Sequence, residues 1–194
     1  MLTQRLITKR GEVSFVLEEV KDVPQKAVQN PEGEVNILKI YSVQGFNLEL
    51  LKRMVDFSSG IFGESGTGEW SLVPQIRHGN VFVLKEEGKR TISGVALLMR
   101  DWDDVDKAYL FEYAIAEDLQ GQGLGYYFLH SICENLRDQG FKRVSLTVDT
   151  ENEPAIRLYR DKLGFRLVQY RKDEYGPGHD RYVMELELAA AAVN

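Results

Sequence analysis

The chain has 194 residues, 43% of them hydrophobic and 28% charged, which suits one globular domain with a real core. Its 24 basic and 30 acidic residues leave a formal net charge of −6, which weighs against a nucleic-acid or anionic-membrane partner, since both demand a basic face. The single cysteine, Cys133, excludes a disulfide framework within the chain and suggests a reducing compartment. No run approaches the roughly 18 apolar residues of a membrane span. Met1 to Glu12 lacks the apolar core of a signal peptide, so a soluble, cytoplasmic protein is expected.

Residues 1–34 read as an N-terminal extension. Val13, Phe15 and Leu17 alternate with Ser14, Val16 and Glu18 as in a strand, and Asp22 to Glu34, with Pro24, Pro31 and Gly33, reads as loop. The compact domain is expected over 35–188. It opens with a strand at Val35–Tyr41, followed by a helix over Leu48–Phe62 and a break at the glycines Gly63, Gly66 and Gly68. Ser71 is a candidate cap for a short helix to Arg77, with Pro74 in its first turn. Strands follow at Val81–Lys85 and from Thr91 to Arg100. Trp102 to Asp106 is an acidic, solvated turn, and Ala108–Ala116 is apolar enough for a central strand.

Leu124 to Gln139 carries one apolar stripe, Leu124, Phe128, Leu129, Ile132, Cys133 and Leu136, and Gly140 ends it. A strand at Val144–Val148 leads to a helix from Glu153 to Leu163, stopped by Gly164. Phe165–Tyr170 and Tyr182–Leu188 close as an antiparallel pair, and 189–194 is expected to be a disordered tail. The segment from Ala108 to Val148 is a βαβ crossover, so its two strands should be parallel. The expected fold class is α/β with a mixed sheet.

The most informative local feature is Gln120-Gly121-Gln122-Gly123-Leu124-Gly125, set between the apolar strand and the amphipathic helix. Glycine there lets a ligand approach the backbone, and a helix start offers free N–H groups and the positive end of the helix dipole. Phosphate or pyrophosphate is the natural guest; the bland alternative is a turn that merely tightens the link between strand and helix. A nucleotide P-loop would need Lys-Ser or Lys-Thr after the last glycine, where Tyr126-Tyr127 stand. A dinucleotide fingerprint would need glycine at Tyr126.

Gln120-x-x-Gly123-x-Gly125 resembles the Q/R-x-x-G-x-G/A signature of the GNAT superfamily of N-acetyltransferases. Asn152-x-x-Ala155-x-x-Leu158-Tyr159, followed by Gly164-Phe165, is similar to that family's second signature, in the family's order. The resemblance implies a mostly antiparallel sheet with a central parallel pair splayed at the acyl-CoA site, and acetyl-CoA as co-substrate without a metal. It gives the pyrophosphate grip to Gln120, Gly121, Gln122, Gly123, Leu124 and Gly125. It gives the pantetheine pairing to Tyr113, Ala114 and Ile115, places the thioester between this strand and Val144–Val148, and assigns Tyr159 as the acid that protonates the leaving thiolate. Two departures stand out: the loop has no arginine or lysine, and Arg160 to Leu163 is one residue longer than the usual spacing.

Elementary chemistry supplies the remaining roles. An alkylamine is mostly protonated near neutrality, so a base must accept its proton. Glu112 is the candidate base or amine-binding group, being the only ionisable side chain of its strand apart from tyrosines. Asn152 either holds the coenzyme arm or caps the following helix. His78, His130 and His179 show no metal-ligand spacing, Cys133 on the apolar stripe reads as an inert buried thiol, and Tyr175 to Asp180 reads as a hairpin loop that could shape an acceptor groove. The leading expectation is acetylation of a small amine or amino-acid-like molecule by a monomer or homodimer. A peptide α-amine or lysine comes second, and a non-catalytic acyl-CoA-binding module third.

Overall fold

The computed structural model describes residues 16–29 and 33–188. The first three residues of the expected opening strand, Val13 to Phe15, and the tail 189–194 lie outside the described residues. Among the described residues a single nine-stranded sheet runs through the molecule. Its strands are β1 (Leu17–Glu19), β2 (Lys26–Gln29), β3 (Val35–Val43), β4 (Asn80–Glu86), β5 (Gly94–Arg100), β6 (Lys107–Ile115), β7 (Arg143–Asp149), β8 (Arg166–Arg171) and β9 (Arg181–Glu187). They lie in the order β1-β3-β4-β5-β6-β7-β9-β8, with β2 also on the outer edge of β3. Every pairing is antiparallel except that of β6 with β7. This is the mixed, mostly antiparallel sheet with one central parallel pair that the sequence implied.

Among the described residues four α-helices cover the two faces: α1 (Leu48–Phe62), α2 (Glu69–His78), α3 (Leu124–Asp138) and α4 (Glu153–Arg157). The period-2 alternation of β4 sorts its side chains between them. Val81 and Val83 join Leu50, Leu51 and Met54 of α1 and Leu72 and Ile76 of α2. Phe82 and Leu84 join Phe128, Leu129, Ile132 and Leu136 of α3. Both faces are covered, which is why the central strands read as continuous apolar runs rather than as alternating ones.

The structure departs from the expectations in four places. The stretch read as loop contains β2, an edge strand with only Val28 buried, so its composition is that of a surface segment. Ser71 does not cap α2. The cap lies three residues earlier, at Gly68, whose carbonyl accepts from Ser71 and Leu72, and Pro74 falls in the helix interior. The hydrogen bond lost at Pro74 is offset by burial of Leu72 and Ile76. Thr91 to Ser93 precede the ladder of β5. The last helix is regular only to Arg157 and continues as a π-turn over Leu158–Lys162, with Leu163 donating to the carbonyl of Leu158. The widened turn absorbs the extra residue between Tyr159 and Gly164.

Phe82 is fully buried between sheet and α3, whereas Trp102 is 96% exposed. Phe82→Ala is therefore expected to lower the urea unfolding free energy by about 3–5 kcal/mol, and Trp102→Ala to change it by less than about 0.5 kcal/mol.

Candidate active site

Strands β6 and β7 pair only from Lys107↔Arg143 to Leu110↔Leu146. Beyond that point β6 remains bonded to β5 through Gly94↔Ile115, and β7 to β9 through Asp149↔Arg181, but not to each other. The backbone edge of β6 from Phe111 to Ile115 that faces β7 thus has no strand partner. A cleft of about 650 Å3 occupies the gap. Leu146, Thr147, Val148 and Asp149 all line it. Alternation would show only every second residue to one face, so the cleft passes between the strands. A second cleft, of about 340 Å3, is lined by Tyr113, Ala114, Ile115, Gln120, Gly121 and Gly125. Phe62, Tyr113, Asn152, Ala155 and Tyr159 are common to both.

A β-bulge at the start of the gap sets the orientation of Glu112. Leu97 lies opposite Glu112 and Leu98 opposite Leu110, which leaves Phe111 as the extra residue. Without it Glu112 would follow Ala108 and Leu110 onto the α3 face. With it, Glu112 shares the α1 face with Leu97. Its Oε2 accepts from Ser58 Oγ at 2.9 Å and from Thr67 Oγ1, and the Ser58 hydroxyl oxygen in turn accepts from the Thr67 amide at 2.7 Å. The Gly66 backbone permits this arrangement: a Cβ there would lie 2.8 Å from the carbonyl carbon of Ser58. Glu112 is only 8% exposed, yet its Oε1 has no hydrogen-bond partner among the described residues. A buried carboxylate with one oxygen anchored and the other unpartnered, in the lining of a cleft, is arranged to meet a proton or a cation.

On the far side of the gap the glycine loop turns into α3. Gly121 and Gly123 adopt φ of 78° and 77°, conformations that favour glycine, and Gly123 is the N-cap of α3 without a capping side chain. The backbone amides of residues 121–126 donate to no acceptor among the described residues. They form the concentrated set of free donors that an anion requires. Other parts of the motif serve the protein itself. Gln120 Nε2 donates to the carbonyl of Ile115 at 3.1 Å, bracing the loop against β6. The side chain of Gln122 clasps the backbone of Gln29, accepting at 3.1 Å and donating at 3.0 Å. Gly125 packs closely under Leu158: a Cβ there would lie 3.2 Å from Leu158 Cδ2.

Tyr159 is the second residue of the π-turn, is buried against Phe165 and lines both clefts. Burial raises its pKa well above the ordinary phenol value, so the hydroxyl stays protonated. Tyr113 donates to the Gly125 carbonyl at 2.6 Å and packs on Phe128; burial and then neighbouring Tyr159 raise its pKa. Asn152 caps α4, its Oδ1 accepting from the Ala155 amide at 3.2 Å, while its Nδ2 has no partner among the described residues. Cys133 is buried and its thiol is pushed up to about 12 by burial. Among the described residues no group of three His, Cys, Asp or Glu could hold a metal ion, and no helix is long and apolar enough to cross a membrane.

Residues 50–165 match the acetyltransferase (GNAT) family. The chain belongs to that family. Its domain is that of an acetyltransferase, and the solved structures it resembles are GNAT folds. Over 81% of this chain and 97% of the other, it superposes on the ribosomal-protein-S18-alanine N-acetyltransferase of Escherichia coli with a TM-score of 0.64 and 25% identity. Ard1 of Thermoplasma volcanium gives 0.65 at 18% identity, over 78% of this chain and 97% of that one. A GNAT acetyltransferase of Elizabethkingia anophelis with acetyl-CoA bound gives 0.61 at 18%, over 78% and 98%. No curated protein sequence matches the chain.

Ser58 and Thr67 are the site residues that the sequence reading missed. The only trace of them is a threonine between two glycines, Gly66 and Gly68, and nothing in Ser58-Ser59 marks a partner for Glu112. Thr67→Val keeps the shape but removes one donor from a buried carboxylate, so a loss of about 1–3 kcal/mol is expected in urea unfolding. For Cys133, a thiol reagent at about pH 8 should react only as the protein unfolds. Because folding raises this pKa, its stabilisation is intact below the unfolded thiol value of about 9 and is lost as pH climbs toward about 12.

Proposed function

We propose that this GNAT acetyltransferase moves an acetyl group from acetyl-CoA to a primary amine by direct attack, with Glu112 as base and Tyr159 as acid. The observation that carries the reading is the parted strand pair, with an anchored carboxylate on one side and a protonated phenol on the other. The free amides of residues 121–126 suit the coenzyme diphosphate. The unpaired edge of β6 at Tyr113, Ala114 and Ile115 suits the amide groups of pantetheine, which would add like a strand. Gly123 leaves room for close approach, and Asn152 Nδ2 offers one more donor along the arm.

The chemistry then follows from position. The amine nitrogen attacks the thioester carbonyl carbon, and the oxygen that gains charge is met by a backbone N–H of β6. Glu112 takes the proton that the amine sheds, directly or through water. The carbon–sulfur bond breaks, and the thiolate takes the hydroxyl proton of Tyr159, which is then replaced from solvent. Burial keeps Tyr159 protonated, and Oε1 of Glu112 is the carboxylate oxygen left without a partner among the described residues.

The rim of the larger cleft favours an amine carried on a longer chain over the small molecule that the sequence suggested. Phe62, Phe111 and Tyr175 border the cleft at 39%, 44% and 60% exposure, so apolar surface stands in the open where a chain could lie. Tyr175 is held there by Arg181, whose guanidinium stacks over its ring at 4.6 Å and pairs with Asp149. The similar Escherichia coli enzyme is named for a protein alanine, which supports the same reading.

An acetyl-CoA thiol-release assay over peptides and small amines tests both parts. Tyr159→Phe should lower kcat by about 100-fold or more with acetyl-CoA affinity unchanged; equal losses in both would remove the acid role. Glu112→Gln should lower kcat/KM with acetyl-CoA affinity unchanged. Turnover on short peptides but not on free amino acids or alkylamines supports the chain-borne acceptor, and the reverse result overturns it. Coenzyme binding without turnover on any amine would make the domain a sensor.

A further inference from the structure

A diphosphate gripped by this loop would meet no cation from the loop itself. The sequence from Ala116 to Tyr127 contains two acidic residues, Glu117 and Asp118, and no lysine or arginine. Amide donors and a helix dipole are partial charges, and a dianion drawn out of water is held much better when a full positive charge is also present. The family signature that this loop resembles admits arginine where Gln120 stands, and the side chain of Gln120 is committed to the Ile115 carbonyl.

The charge comes from a different part of the chain. A Cβ built on Gly123 would lie 3.9 Å from the Nζ of Lys26, and that is the nearest heavy atom to it. Lys26 is the first residue of β2, at the outer edge of the sheet, nearly a hundred residues from the loop in sequence. Its ammonium makes no hydrogen bond or ion pair among the described residues, although the surface carries many other ion pairs. Lys26 also lines a cleft of about 510 Å3 that includes Gly123, Tyr126 and Tyr127 of the α3 start and is bounded on its other side by Val20 to Pro24.

The position of Lys26 is enforced. Gln122 bonds both the N–H and the C=O of Gln29 through its side-chain amide, so the glycine loop carries the end of β2 as a strand neighbour would. Pairing of Lys26 with Leu38 and of Gln29 with Val35 fixes the other side of β2. Burial of Val28 in the α3-side core locks the register, because a one-residue slip would turn Val28 out to solvent. The two ties hold the segment at both ends and leave the Lys26 side chain over the start of α3.

The geometry points to Lys26 as a phosphate-binding residue for the coenzyme diphosphate, presented by β2 and held in register by the Gln122–Gln29 clasp. This assignment rests on the acetyl-CoA reading above. It gives a role in the site to a segment outside the two family signatures, and it makes Gln122 a positioning residue rather than a direct ligand through its side chain.

The test is coenzyme binding by titration calorimetry at fixed ionic strength, comparing the natural chain, Lys26→Met and Lys26→Arg. The natural chain must bind CoA; if it does not, the parent reading fails and Lys26 is not at issue. Given binding, Lys26→Met should weaken CoA by about tenfold, the loss of one charge-assisted contact, and Lys26→Arg should restore most of it. The deficit should persist with 3′-dephospho-CoA, and a deficit confined to CoA would move the contact to the 3′-phosphate and overturn the proposal. Acetyl transfer from S-acetyl-pantetheine, which has no diphosphate, should be equal for all three proteins. A loss there would mean that Lys26 acts through the fold, and unchanged CoA affinity in Lys26→Met would overturn the assignment outright.

Discussion

Hydrogen bonding between two adjacent parallel strands stops at Leu110 and Leu146, and the site exists because it stops there. An interior strand edge with unmet N–H and C=O groups is ordinarily costly, since buried backbone polar groups are nearly always paired. Here the cost is contained by geometry. Each strand keeps its outer partner, β5 or β9, to the end of the gap, so only the inner edges are open. The bulge at Phe111 sits at the first unpaired position, where an extra residue increases local twist and turns β6 away from β7. The parting is therefore built by the ladder itself and does not depend on a loop holding the strands apart.

A gap through a sheet connects two faces that otherwise share nothing. Glu112 reaches it from the α1 face, fixed by Ser58 and Thr67, and Tyr159 reaches it from the α3 face, packed on Phe165. In the proposed roles, a base and an acid on the same face, within contact of each other, would exchange their proton or lock in a hydrogen bond; on opposite faces they could act on opposite ends of one reacting group. The hydroxyl of Tyr159 has no partner among the described residues, in agreement with a donor reserved for a leaving group.

Most of the fold was legible in the sequence. The α1 bounds, the α3 stripe and the parallel crossover follow from periodicity and glycine punctuation, because long elements average over local noise. What was hidden had specific physical causes. The strand β2 buries one side chain, so no period can reveal it. The start of α2 was misplaced because Ser71 is a good cap by type, while Gly68 had already turned the chain. In the site, the glycine loop, Asn152 and Tyr159 were visible as motif residues, but their division of labour was not. Gly125 serves packing against Leu158, Gln120 braces Ile115, and Asn152 caps a helix with the oxygen of its amide. Glu112 could be noticed as a lone carboxylate on an apolar strand, whereas its hydroxyl partners come from α1 and from the turn after it. Only the register shift at Leu97 and Leu98 brings them together.

The N-terminal segment changes what counts as the domain. By composition, residues 1–34 look like a separate opening before a domain that starts at Val35. Yet β1 and β2 together cover the outer edge of β3, Val28 belongs to the same core as Phe128, and the clasp between Gln29 and Gln122 joins this edge to the loop at the start of α3. Removing the segment would expose an edge of nine residues as a template for pairing with another chain. It would also leave the helix start with partial positive charge alone. If the loop and Lys26 hold the coenzyme diphosphate as proposed, edge protection and anion binding are served by the same few residues, in a polar strand that composition alone would mark as dispensable.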